Sequence, residues 1–416
     1  MQENTTPETA RPLAEAKPLW QPKEMLIFLL VAFGMPFLMG IPLAIAQRAG
    51  YNTDVFPNAQ MFYPAAGVML AYFLTHRPGL PRGFYVFYLL CTAALVVCCL
   101  GIVVAPGDVW LGAVNILVVA GSVLAWLFLL IAKKDRRAAA GLRWRGGFKA
   151  LGYVALFILL RTVAVFISIL PYGQMGEYLA YWTTSAPYVM FLILIPNFFL
   201  SFLAFFGEEY GWRYYWQPRM QEKFGPRRGV VLLCLAWALW HLPLNLFYYA
   251  PETGLQSFVS QIITCLCLGI FFAWAYLKTG NVWVAVLLHS FNNNLILVYS
   301  GTTVISNQTV TWFDILVQAI VYGVIFLPFF ASKVFSKAPA GANGADKTRK
   351  ETNPGRLWFA ATAGRDLCVY RISARSSTRA CRARAAVETS RVRGAAPGGK
   401  ALGQQPGHRV ILAEGN

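Results

Sequence analysis

The amino-acid sequence predicts an all-α fold, a polytopic bundle of about eight to ten transmembrane helices. Three observations carry that prediction. Hydrophobic residues fill 57% of the 416 positions and charged residues only 13%, against roughly a quarter charged in soluble domains. The mean hydropathy is +0.50. The apolar positions also gather in many runs of roughly 18 to 25 residues, the length a helix needs to cross a bilayer. The residue-by-residue alternation of a transmembrane barrel is missing from these runs.

Taken in order, residues 1–23 are polar and carry Pro7, Pro12, Pro18 and Pro22, which reads as a cytoplasmic N-terminal tail. Residues 24–336 form the transmembrane domain, with spans expected at about 24–46, 59–76, 84–105, 110–132, 150–171, 184–207, 229–249, 257–278, 282–300 and 312–334. Loop charges orient them. Lys133, Lys134, Arg136, Arg137, Arg143, Arg145 and Lys149 crowd the fourth connection, and Arg213, Arg219, Lys223, Arg227 and Arg228 lie two spans further on. Lys278, Lys333 and Lys337 continue the series, as do Arg77 and Arg82 in the other direction. The loops between carry almost no lysine or arginine, Arg48 being the exception. Positive charge favours the cytoplasmic side, so the expectation is a multi-pass cell-membrane protein with both termini in the cytoplasm. Residues 337–416 change composition to Gly, Ala, Ser and Arg and read as a basic, disordered tail.

The formal net charge of +18 would suggest nucleic acid in a soluble protein. Here the excess sits in loops and tail, and no basic folded module is visible, so no nucleic-acid partner is expected. The expected partners are membrane lipids and a membrane-associated peptide or protein; the oligomeric state is not encoded legibly. Six of the eight cysteines, Cys91, Cys98, Cys99, Cys234, Cys265 and Cys267, lie within apolar runs as small packing residues. Cys368 and Cys381 show no zinc spacing.

An ionisable residue inside a span is costly to bury and marks a functional site by default. Glu208 and Glu209 end one apolar run, four and five residues before Arg213, so Glu209 and Arg213 share a helix face while Glu208 projects elsewhere. The blander reading puts both glutamates at the headgroup level, inside an aromatic belt of Tyr210, Trp212, Tyr214, Tyr215 and Trp216. Two of the four histidines also sit in spans. His241 follows Trp237 by four positions and precedes Pro243. His289 and Asn293 lie four apart, next to Asn292 and Asn294. Alone, each is as readily a packing or helix–helix hydrogen-bonding group. Together, a carboxylate, two imidazoles and an amide could activate water and stabilise an oxyanion. Arg161 is the one other deep charge; it could be a counter-ion for the glutamates or snorkel, and snorkelling is the expectation.

These motifs, Glu-Glu-x-x-x-Arg at 208–213, aromatic-x-x-x-His at 237–241 and His-x-x-x-Asn at 289–293, resemble the CPBP intramembrane proteases. That family holds the CAAX-processing type II endopeptidases and the bacteriocin-immunity, or abortive-infection, proteins. The similar region is roughly residues 150–300, and Trp237 stands where phenylalanine is usual. The resemblance implies an intramembrane endopeptidase, of metallo- or glutamate type, in which Glu208 and His241 activate water while His289 and Asn293 hold the oxyanion. Glu209 and Arg213 would support them. It equally allows zinc, with His241, His289 and Glu208 as its ligands, although no His-Glu-x-x-His is present. Two other classes compete: a catalytically silent immunity or scaffold protein, and a proton- or solute-coupled transporter using the same polar cluster.

Overall fold

The computed structural model describes residues 19–336 except Thr303. The tail expected from residue 337 onward, and residues 1–18 of the N-terminal one, lie outside the described residues. Within them the chain is helical with no strand, and nine helices are long and apolar enough to cross a membrane. The molecule is a polytopic helical bundle.

The first run joins α1 (Pro22–Ala32) and α2 (Gly34–Arg48). The span expected at 59–76 is broken. It consists of α3 (Val55–Gln60) and α4 (Tyr63–Leu74), which meet at Met61 and Phe62. Pro64 in the first turn of α4 lacks the N–H that would carry one helix through the junction. The pair still returns the chain to the level of α1: Arg77 Nη1 lies 3.7 Å from Glu24 Oε2, and the Thr75 hydroxyl donates to Glu24 at 3.3 Å. Long helices α5 (Arg82–Val104) and α6 (Val109–Ile131) follow. After the short α7 (Lys134–Ala139) come α8 (Leu151–Ile169) and α9 (Met175–Trp182).

The next helix overturns a second boundary. α10 (Ala186–Glu209) continues through a π-helical stretch, Tyr210–Trp216, into α11 (Gln217–Phe224), 39 residues in all. Tyr210, Trp212, Tyr215 and Trp216 are at most 5% exposed, so they belong to the protein core and not to a headgroup belt. Aromatic rings suit both places, which is why composition alone misplaces them. The bundle closes with α12 (Pro226–Trp240), α13 (Leu242–Leu244) leading into a π turn at Asn245–Tyr249, α14 (Gly254–Thr279), α15 (Val282–Ser300) and α16 (Trp312–Phe326).

Burial separates centre from rim. In the apolar stretches of α14 and α15, 67% of residues are buried, against 33% in those of α6, α8 and α16. The rim helices turn Ile116, Leu130 and Leu159 outward, each more than half exposed, a surface suited to lipid and not to water. Several of the charged connections meet one another, but Arg213, expected among the loop charges, is instead fully buried beside Glu209. Glu24 holds Arg77 and Arg219 (3.4 Å), and Asn281 donates to the carbonyl of Arg145 at 2.8 Å. Trp283 donates its indole N–H to the carbonyl of Leu142 at 2.9 Å, on the same face. On the opposite face Tyr248 donates to Asp54 (2.8 Å) and Tyr172 to Asp314 (2.7 Å).

Candidate active site

Two glycines set the position of the acidic pair. A Cβ on Gly207 would stand 2.2 Å from the Met61 carbonyl oxygen, and one on Gly211 would stand 2.3 Å from Pro64 Cβ. Spaced four apart, they form a bare stripe that lets α10 press directly on the α3–α4 junction, the small-x-x-x-small packing favoured between membrane helices. The glutamates between them are thereby turned away from α4, toward α12 and α15. The π stretch begins at Tyr210, directly after them; such stretches often occur at functional sites.

Glu208, Glu209 and Arg213 are fully buried. Arg213 Nη1 pairs with Glu209 Oε1 at 3.1 Å, the i,i+4 contact that the spacing predicts. The same oxygen accepts from His289 Nδ1 at 2.8 Å. A carboxylate only accepts, so this bond puts the His289 proton on Nδ1 and turns the Nε2 lone pair elsewhere. Nε2 faces Glu208 Oε1 at 4.0 Å. Glu209 therefore does more than balance charge: it orients the imidazole next to Glu208.

Glu208 is fixed from its other oxygen. Trp237 Nε1 donates to Oε2 at 2.9 Å and Trp212 Nε1 donates to the same atom at 3.2 Å. Trp237 is the hub of the site. Its ring lies 5.7 Å from the His289 ring and 5.8 Å from that of His241, and the Arg213 guanidinium sits 4.6 Å over it. Only the indole nitrogen can make the bond to Glu208, so phenylalanine here would keep the stacking and lose the donor. Sequence reasoning notes Trp237 merely as a departure from a motif and misses both indoles as site residues. A tryptophan at a helical i+4 position from a glutamate, as Trp212 is from Glu208, is the one signal that could have pointed to them.

The two histidines are not equivalent. His241 Nδ1 is 2.9 Å from the Trp237 carbonyl oxygen, an intrahelical contact, and His241 reaches no carboxylate within 4.0 Å among the described residues. The imidazole beside Glu208 is His289. Glu208 Oε1, His289 Nε2 and His241 Nε2 are buried with no hydrogen-bond partner among the described residues. Buried polar atoms of this kind are satisfied by an ordered water, an ion or a reacting molecule. Asn293 lies one turn past His289, half-buried, and accepts from Asn292 at 3.1 Å. It lines a cavity of about 450 Å³ with Asn58, Asn115, Tyr248 and Phe205, on the side of the arginine-poor loops. Phe205 forms the wall toward the site, its ring 5.7 Å from that of His289.

Among the described residues no group of three His, Cys, Asp or Glu side chains is spaced to hold a metal ion. The set Glu208, His241 and His289 thus does not gather as a zinc site. Zinc ligands must all stand about 2.0–2.2 Å from one point. Arg161 does not snorkel. It is 3% exposed, beside Tyr322 of α16, and makes no ion pair with either glutamate.

Residues 189–295, from α10 into α15, match the family model described as "Type II CAAX prenyl endopeptidase Rce1-like". Over this stretch the chain resembles that family. A curated relative, "CAAX prenyl protease 2" of Methanococcus maripaludis, is 26% identical over 165 residues, which is 36% of this chain and 59% of the relative. This chain thus spans less than two thirds of that protein's length. No solved structure matches it. The Rce1-like stretch contains every residue of the cluster around Trp237, and α1–α9 lie outside it.

Proposed function

We propose that this chain is an intramembrane endopeptidase of the CAAX-processing type that hydrolyses a peptide bond in a membrane-associated peptide or protein. The observation that carries the reading is the Glu208 carboxylate: one oxygen is clamped by two indole donors, and the other is turned, unpartnered, toward His289. A carboxylate held this way is suited to act as a general base, because its free oxygen is fixed at one place before substrate arrives.

In the proposed step, a water within reach of Glu208 Oε1 gives up a proton to it, and the oxygen attacks the scissile carbonyl carbon. His289 Nε2, oriented by Glu209, aligns that water. The carbonyl oxygen takes up negative charge, which the family resemblance assigns to Asn293, one turn past His289, to stabilise. The C–N bond then breaks, and the proton held by Glu208 passes to the leaving amine. His241, its ring 5.8 Å from that of Trp237, borders the same cluster. Lipid-exposed helices on the rim would let a membrane-anchored substrate approach sideways, while the arginine-rich face lies in the cytoplasm.

The test uses the full chain in lipid vesicles with a library of membrane-anchored peptides, comparing wild type with Glu208→Ala and His289→Ala. Cleavage by the wild type and loss in both variants is the expected result. Cleavage that survives both substitutions would place the chemistry elsewhere. If wild type cuts nothing yet both it and Glu208→Ala protect cells against a peptide toxin, the chain is an immunity protein that binds without cutting.

A further inference from the structure

The function described above leaves one deep charge without a task. Arg161 lies near the middle of α8 and is 3% exposed. One terminal nitrogen contacts the Tyr322 hydroxyl, the guanidinium carbon lies 5.2 Å over the Tyr322 ring, and Nε has no hydrogen-bond partner among the described residues. No carboxylate comes within ion-pairing distance of it among those residues. Arginine cannot shed its proton to escape the cost of burial, so a guanidinium in this place needs compensating negative charge.

Arg161 lines a small cavity of about 40 Å³ between α8, α15 and α16, together with Ser168, Tyr299, Gln318, Tyr322 and Asp314. Asp314 is the one acid there, and it is committed elsewhere. Its Oδ2 accepts from the Thr311 backbone N–H at 2.8 Å in the capping box that starts α16, and its Oδ1 accepts from the Tyr172 hydroxyl at 2.7 Å. It also lies eight residues before Tyr322, about 12 Å along the helix. Arg161 and Tyr322 each keep a donor to offer the cavity. Arg161 contributes Nε–H. Tyr322 accepts from Arg161 and so keeps its own hydrogen to give. Tyr299 is spent on Thr162, because the Thr162 hydroxyl already donates to the Ile158 carbonyl at 2.8 Å.

We propose that this cavity binds a small monovalent anion of the halide class, held by the Arg161 guanidinium and the Tyr322 hydroxyl. The volume admits a few water-sized spheres and excludes a phosphate carrying a lipid. The anion cancels the buried charge and ties α8 to α16, and it is independent of the peptidase reading.

The experiment is thermal unfolding of the purified full chain in lipid, with sodium chloride titrated against sodium gluconate at constant ionic strength. The unfolding midpoint should rise with chloride, because a ligand that binds only the folded state stabilises it. Arg161→Gln should abolish the chloride dependence. Tyr322→Phe, which keeps the cation and loses one donor, should require roughly tenfold more chloride for the same rise, a tenfold change being about 1.4 kcal/mol. Should Arg161→Gln fail to fold, Tyr322→Phe and the excess ³⁵Cl linewidth of the wild type, removed by bromide, decide the matter. Equal midpoints in chloride and gluconate, with no excess linewidth, would overturn the proposal and leave a hydrated arginine.

Discussion

Trp237→Phe separates the ring of the hub residue from its hydrogen bond. Phenylalanine retains an aromatic face for His241, His289 and Arg213, and removes only the Nε1 donor 2.9 Å from Glu208 Oε2. A hydrogen bond to a charged acceptor contributes about 1.5–3 kcal/mol. If that stabilisation holds the base in its reactive orientation, losing it slows cleavage by roughly 10- to 150-fold at about 1.4 kcal/mol per tenfold. Trp212→Phe, which removes the longer 3.2 Å bond, should cost less. The double variant should lose more than the two singles predict, because either indole alone still holds Oε2 in place. The assay is cleavage of a membrane-anchored fluorogenic peptide in vesicles, with Glu208→Gln as background and thermal unfolding to confirm the fold. A Trp237→Phe protein that is folded and cuts at the wild-type rate would refute the argument that the indoles position the carboxylate.

Other expectations can be checked with the same preparations. Arg213→Ala strands Glu209 in the core without its 3.1 Å partner, and breaking a buried pair costs about 3–5 kcal/mol, so the unfolding midpoint should drop sharply; an unchanged midpoint would mean that His289 alone satisfies Glu209. Gly211→Ala inserts a Cβ 2.3 Å from Pro64 and should destabilise by about 1–3 kcal/mol, whereas Gly152→Ala, with open space around it, should be silent. Because the zinc donors do not gather, a zinc chelator should leave cleavage intact. Loss of cleavage that only added zinc restores would show that His241 and the Glu208–His289 pair close around a metal.

Helix type, the meeting of several charged connections and the Glu209–Arg213 pair were all legible from spacing, because period and charge are local properties. What was not legible depends on neighbours distant in sequence. The run Tyr210–Trp216 looks like a membrane-interface belt until α1 and α12 cover it, with Phe28 6.1 Å and Trp240 5.6 Å from the Trp212 ring. The span at 59–76 carries enough apolar residues to cross, and only the bend at Met61–Phe62, which receives Gly207, shows why it is broken. The sequence offers two histidines of equal apparent merit. Which of them meets Glu208 is decided by the register between α10 and α15, which no spacing within either helix reveals. Arg161 looks mobile on paper because a long side chain can reach an interface, yet its surroundings on α16 hold it in place.

The close seat of Gly207 and Gly211 on residues 61–64 also bears on how the protein is made. The ribosome delivers the α3–α4 junction well before Glu208 and Glu209 leave the exit tunnel, so the surface that receives the glycine stripe precedes the helix that needs it. If α10 docks there before α15 is made, its carboxylates turn inward at once and need not face acyl chains while His289, eighty residues later, is still being synthesised. A transplant of the Rce1-like stretch alone, residues 189–295, would lack this receiving surface. Its failure to insert would reflect the missing scaffold of earlier helices and say nothing about the catalytic residues.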